Sequence, residues 1–447
     1  MTWSVLPGEQ TRRTWNAPVT APGPAYREML PHVRAIQHDP LNFLMESWRQ
    51  YGDVVQFPVP FLPTYLIGSP QGARDVLLLH HKAMSKRTVQ YSNLSLVTGE
   101  GLITAETDIW KTTRRQLAPA FHQDMIRLGT KHVTDALARL DTCWAQHTAG
   151  GPALIDVDQA MMNLALEITG ATLFGADLTN HVDRLTAATL SALHCVVQRV
   201  RNPLPMPLTL PTPSNLRMRR AIRQLDAAVG ELIDQRLADP LPTGQPIRDM
   251  LDVLLEPTLG QPFSRKQIRD EVATFIVAGH ETLASALTWA WNLLGAHPDE
   301  AERLRSEPHR SSLVFDETLR LYPPAWVISR RSNQPVDIDG FHIPKNAMLI
   351  ISPWIIHRNP ALWKNPESFL PDRFAQGQPV LGYLPFGAGP RLCIGREMAR
   401  MQGAEILGHI AQHWKLDPIN KQQTSIEASV TLRPQGGLPM RLHRIAH

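Results

Sequence analysis

The chain has 447 residues, 43% of them apolar and 19% charged, with 45 basic against 41 acidic side chains for a formal charge of +4. So thin an excess excludes the concentrated basic face that nucleic acid demands. The 3 cysteines, Cys143, Cys195 and Cys393, are too few and too scattered for a disulfide framework or a paired-cysteine zinc site, which points to a reducing compartment.

Length alone would accommodate about three domains of roughly 150 residues. Residues 1–20 read as a loose leader containing Arg12, Arg13 and Pro18. Neither a secretion signal nor an apolar run of about 18 residues is visible near the start, so the expectation is a cytoplasmic protein without a membrane anchor. Short β-type runs at Asp53–Phe57 and Thr64–Ile67 flank Pro58, Pro60 and Pro63, which suggests a hairpin with an irregular turn. From about 70 to 320 the spacing is mostly that of amphipathic helices. Asn202–Pro213 interrupts it with five prolines, as an extended connector or as a substrate lid.

The proline-free stretch Ile268–Leu294 predicts one helix about 40 Å long. Ala301–Leu321 predicts another, ended by Tyr322-Pro323-Pro324. Beyond it lie β-like pieces at Val336–Gly340 and Ala347–Ser352, then a last helix from about Ile394 to His413. A closing hairpin of Val430–Leu432 with Leu438–Leu442 would turn at Gly436-Gly437. No repeat or long linker appears. The expected fold is mainly α with a small β region drawn from both ends of the chain. Pairing of such distant strands favours one intertwined domain over separate beads.

The strongest chemical signal is Pro385-Phe386-Gly387-Ala388-Gly389-Pro390-Arg391-Leu392-Cys393-Ile394-Gly395. A thiolate serves as metal ligand or nucleophile, and either role needs a lowered pKa. Placing Cys393 just before a helix would aim free N–H groups and the positive end of the dipole at the sulfur. The glycines would let the backbone approach a flat ligand. A buried structural cysteine fits these residues about as well. A phosphate cradle does not, because G-x-G-x-x-G fails at Leu392 and no Walker-type sequence is present.

The segment resembles the haem-binding signature of the cytochrome P-450 family, F-x-x-G-x-R-x-C-x-G, with Phe386, Gly389, Arg391, Cys393 and Gly395 in the fixed positions. Four further family patterns follow in the family's order, so the resemblance runs from about Pro22 to Arg441. It implies a single haem-thiolate monooxygenase domain over 21–447, with haem b between the long central helix and the Cys-loop helix. Cys393 would be the iron ligand, and Pro385, Phe386, Arg391, Ile394 and Gly395 would contact the cofactor.

Ala278-Gly279-His280-Glu281-Thr282 is similar to the family's oxygen-activation motif. Glycine inside a helix costs about 1 kcal/mol relative to alanine, and room for dioxygen would repay it. A threonine hydroxyl bonding back to a carbonyl could widen the groove. By the resemblance Ala278 contacts haem, while Glu281 and Thr282 deliver protons. Without the haem signature, a packing glycine beside solvated polar residues is the simpler reading.

Glu317-Thr-Leu-Arg320 matches the family's E-x-x-R. Residues three apart share a helix face, and a solvated surface pair of little worth would look the same. The resemblance adds Arg373, from Pro371-Asp-Arg-Phe374, to give a buried structural triad of Glu317, Arg320 and Arg373. Trp110 and Arg114, at i,i+4 on an early helix, fit donors to haem propionates. Arg330 and Arg391 are further propionate partners by family position.

The implied activity is oxygen insertion from dioxygen into a lipophilic small molecule, by hydroxylation or epoxidation. Thiolate ligation by Cys393 would favour O–O cleavage. Electrons would come from a ferredoxin or flavodoxin with its reductase, docking near Arg391, Arg396 and Arg400. A pocket drawn from about Ser85–Asp108, His194–Pro213, the helix near Ala278, Ala325–Ile328 and Ser429–Leu432 would hold the substrate. A terpenoid, a fatty acyl chain or a polyketide would suit apolar Val327, Ile328 and Val430. The rivals are a peroxide-driven or non-oxygenating haem-thiolate enzyme, whose relatives usually lack the acid–threonine pair, and a non-catalytic haem sensor or carrier, which would need Cys393 alone.

Overall fold

The computed structural model describes residues 20–28, 35–176, 182–201, 206–242, 245–256, 260–377, 382–419 and 424–445. The expected leader, apart from Thr20, and residues 202–205 of the proline-rich segment lie outside them. The chain is 59% helical with small sheets, as the mainly α reading expects. Its principal helices are α1 (Pro40–Tyr51), α2 (Thr107–Leu117), α3 (Gln123–His147), α4 (Val157–Phe174), α5 (Val182–Arg201), α6 (Pro213–Ala238), α7 (Arg265–Ala296), α8 (Ser311–Leu321) and α9 (Arg396–His413). The chain passes repeatedly between two compact units, one of Met1–Ser92, Arg320–Phe369 and Gln376–Cys393, the other of Asn93–Leu319, Leu370–Ala375 and Ile394–His447.

The first unit is built on a five-stranded sheet. Val54–Phe57 and Thr64–Ile67 form the expected antiparallel hairpin, with Val54 opposite Ile67. Thr64–Ile67 then pairs in parallel with Met348–Ile351, almost 300 residues on. Ile328–Ser332 and Met84–Ser85 complete the order. Both faces of the hairpin are covered, so its strands are buried at every position rather than at alternate ones. Tyr65, Ile67, Ile338, Ile343, Leu349 and Ile351 form a core from which water is excluded.

The second unit is helical, and α7 is its axis. Ser264 caps α7 and Gln267 bonds back to it, a reciprocal capping box. The helix runs 32 residues, about 48 Å, longer at both ends than its apolar stretch suggests. Helix α4 lies along it and is apolar nearly all round, because it too is covered on most sides. Gly279 permits this packing: a Cβ there would lie 3.0 Å from the Thr169 Cγ2 of α4. Gly279 thus serves the contact between α7 and α4.

Other boundaries also differ from the sequence reading. Ala301–Leu321 is not one helix: Pro308, with no N–H to donate, divides it into Pro298–Ser306, a tight turn at Pro308–Arg310, and α8. The closing hairpin forms differently as well. Leu432–Pro434 pairs with Ile426–Ala428, whereas Pro439–Arg444 pairs with Ala153–Asp156 and Trp414–Pro418. Gly436 and Gly437, both at positive φ, turn the chain from one sheet to the other. Among the described residues, no helix is long and apolar enough to cross a membrane.

Candidate active site

In the first unit Cys393 ends a bent loop whose shape glycine dictates. Gly389 has φ +71°, and a Cβ there would fall 2.0 Å from the Leu77 carbonyl oxygen. Any other residue would meet both strain and a backbone clash. The Cys393 N–H donates to the Phe386 carbonyl at 3.0 Å, closing the loop and leaving the side chain exposed. Pro385 is buried, whereas Phe386, Arg391, Ile394 and Gly395 are half-buried. Helix α9 begins at Arg396 with Gly395 as its cap, so Ile394 and Gly395 form a turn rather than the helix's first residues.

The loop rests on a framework of buried polar groups. Arg320, fully buried, donates to the carbonyls of His357 at 2.8 Å, Pro366 at 2.6 Å and Ser368 at 3.0 Å. Its guanidinium lies 5.2 Å from the Trp363 ring centre. His357 returns a bond from Nδ1 to the Arg320 carbonyl and accepts the Leu384 N–H at Nε2, 2.8 Å away. Burial, with help from the Arg320 charge, lowers its pKa to about 3, so the ring stays neutral. Nothing in the local sequence marks His357, because its partners are scattered over the fold. Arg330 is buried and donates to the Ser329 carbonyl, whereas its neighbour Arg331 is half-buried.

In the second unit Glu317 accepts from Arg373 Nε at 3.0 Å and from the Leu370 N–H at 2.8 Å. The carboxylate is wholly buried, so this is no surface pair. Trp110 and Arg114 do share a face of α2, with the guanidinium 5.9 Å from the indole centre. The basic cluster expected around α9 is partly neutralised: Arg400 pairs with buried Asp316 at 2.7 Å, and Arg396 pairs with Glu397.

Along α7, Ala278, Gly279 and Thr282 are half-open while Phe275, Ile276, Val277, His280, Glu281 and Leu283 are buried. Thr282 Oγ1 donates to the Ala278 carbonyl at 2.6 Å, yet the helix continues unbroken. Glu281 accepts from the Thr431 hydroxyl at 3.0 Å. Burial raises its pKa to about 7, against the Thr431 bond and the Arg433 charge, which lower it. Burial likewise lowers His280 to about 3 and keeps it neutral. Thr431 escaped the sequence reading as a partner because 150 residues separate it from Glu281. The adjoining Leu432 carbonyl accepts from Ser285 and Trp289, so the C-terminal strand is fastened to α7 at three points.

The donors suit a haem. In the first unit an exposed cysteine ends a loop that only glycine can bend, with arginines able to meet carboxylates on Ile328–Ser332 and at Arg391. In the second, α2 carries an indole and an arginine of the same kind.

A family profile described as Cytochrome P450 matches residues 21–439. The chain is 30% identical over 438 residues to cyclooctatin synthase of Streptomyces melanosporofaciens, covering 91% of this chain and 93% of that protein. It is 31% identical to cyclooctat-9-en-7-ol 5-monooxygenase of the same organism, with coverage of 93% and 92%. The crystal structure of CYP175A1 from Thermus thermophilus superposes with a TM-score of 0.79 at 31% identity, over 94% of this chain and 99% of that one.

Proposed function

Because the chain belongs to the cytochrome P450 family and is one of its monooxygenases, we propose that Cys393 holds a haem b iron within one catalytic domain spanning 21–447. The bound haem supplies the activation of dioxygen that places one oxygen atom in a lipophilic substrate by hydroxylation or epoxidation. Pro385, Phe386, Arg391, Ile394 and Gly395 would hold the cofactor beside Cys393, and Ala278 would contact it. Trp110, Arg114, Arg330 and Arg391 meet its propionates. Glu317, Arg320 and Arg373 keep the Cys393 loop in place.

Proton supply falls to Glu281 and Thr282. The observation that carries this role is a buried carboxyl held by the Thr431 hydroxyl, next to the half-open Thr282; burial raises its pKa to about 7. A group poised near neutrality releases and regains a proton with little cost in either direction. Thr282 would hold a proton at its hydroxyl, which donates to the Ala278 carbonyl at 2.6 Å. Electrons come from a separate ferredoxin or flavodoxin with its reductase.

The substrate is a lipophilic small molecule of the terpenoid, fatty acyl or polyketide kind. One relative is named for cyclooctat-9-en-7-ol and another, from mouse, for leukotriene B4. Binding spectra against a panel of such compounds, read as the spin shift of the haem, would choose among them. The test of the proton role is Thr282→Ala. The expected outcome is that electron consumption continues while product formation falls and peroxide accumulates; unchanged coupling would overturn it.

A further inference from the structure

A cavity of about 270 Å³ lies behind Glu281, walled by apolar Leu193 and Pro434 and edged by Asp158, His194, Glu427 and Arg433. We propose that this cavity is the route by which protons reach Glu281 from solvent, and that Thr431 is the positioning residue that holds the carboxyl across its inner end. The proposal rests on the reading that Glu281 supplies protons to the reaction.

The two carboxylate oxygens of Glu281 are treated differently. Oε1 accepts from the Thr431 hydroxyl, whereas Oε2 is buried and has no hydrogen-bond partner among the described residues. An unmet buried acceptor is costly, so a native protein keeps one only where something compensates. Glu281 also lines the cavity, whose volume would take several waters at roughly 30 Å³ each. His194 and Glu427 are exposed and give the cavity a wet, titratable mouth. Asp158 and Arg433 form an ion pair along its wall.

A proton entering past His194 and Glu427 binds one Glu281 oxygen as another leaves toward Thr282. The carboxyl then returns to its starting state, and no other group changes charge. Thr431 holds Oε1 in place through its hydroxyl. Asp158 on α4 and Glu427 on the C-terminal strands favour the protonated carboxyl, Arg433 opposes them, and His280 on α7 is neutral. Removing the Thr431 hydroxyl takes away a bond that favours the ionised form, so the midpoint of Glu281 rises.

Infrared difference spectra of the haem-loaded enzyme test both parts. The carboxyl band that disappears in Glu281→Gln identifies the group and gives its titration midpoint. Thr431→Val, which keeps the volume, is expected to move that midpoint to higher pH, and Thr431→Ser to restore it. Ser429→Phe, which narrows the cavity at a lining residue, is expected to slow exchange of the band in heavy water, whereas Ser429→Ala leaves it fast. An unmoved midpoint in Thr431→Val, or unimpeded exchange in Ser429→Phe, overturns the proposal. Unchanged coupling of electrons to product in Glu281→Gln overturns the underlying proton role instead, so the two failures are told apart.

Discussion

The framework beneath the Cys393 loop and the stretch of α7 around Glu281 both bury ionisable groups, but they treat them in opposite ways. Arg320 meets three carbonyls, and both ring nitrogens of His357 are bonded. Such a network has one low-energy arrangement, because moving any member strands a buried polar group. Glu281, in contrast, has one oxygen bonded and the other without a partner among the described residues, and burial raises its pKa to about 7. In the proposed function the first region holds the iron ligand at a fixed place, and the second keeps a proton easy to move. Full satisfaction gives rigidity, and partial satisfaction beside a polar cavity gives reactivity.

The contrast breaks most visibly at the buried ion pair. Arg373→Ala leaves the wholly buried Glu317 carboxylate with one partner fewer, and unfolding by denaturant should show a loss of about 3–5 kcal/mol. His357→Phe keeps a ring but strands the Arg320 carbonyl and the Leu384 N–H, for a loss of about 1–3 kcal/mol for each unmet group. A further effect separates the regions by pH. The folded pKa of His357 is depressed from 6.5 to about 3, so its contribution is full above 6.5 and is lost as pH falls toward 3. Glu281 is raised from 4.5 to about 7, so its contribution is full below 4.5 and is lost as pH rises through 7. Stability against pH should therefore flatten on the acid side in His357→Phe and between 4.5 and 7 in Glu281→Gln. A common slope in both variants would erase the distinction.

Much of this arrangement was legible in the sequence. The glycines and cysteine at 386–395, the hairpin at 54–67 and the proline-free run of α7 are local signals with local causes. What could not be read was mostly pairing across distance. Nothing near Thr431 says that Glu281 awaits it, nor does His357 announce Arg320 and Leu384. The closing hairpin was misread because Gly436-Gly437 looks like a hairpin turn whichever sheet receives the next strand. The contact of Gly279 with Thr169 on α4 is a further pairing of this kind, invisible in the local sequence.

The central claim is that Cys393 ligates the haem iron as a thiolate, and the reduced protein under carbon monoxide tests it directly. The expected spectrum has the strongly red-shifted Soret band of thiolate ligation, absent from Cys393→Ala. A purified chain that binds no haem, or a Cys393→Ala variant that keeps that band, would contradict it.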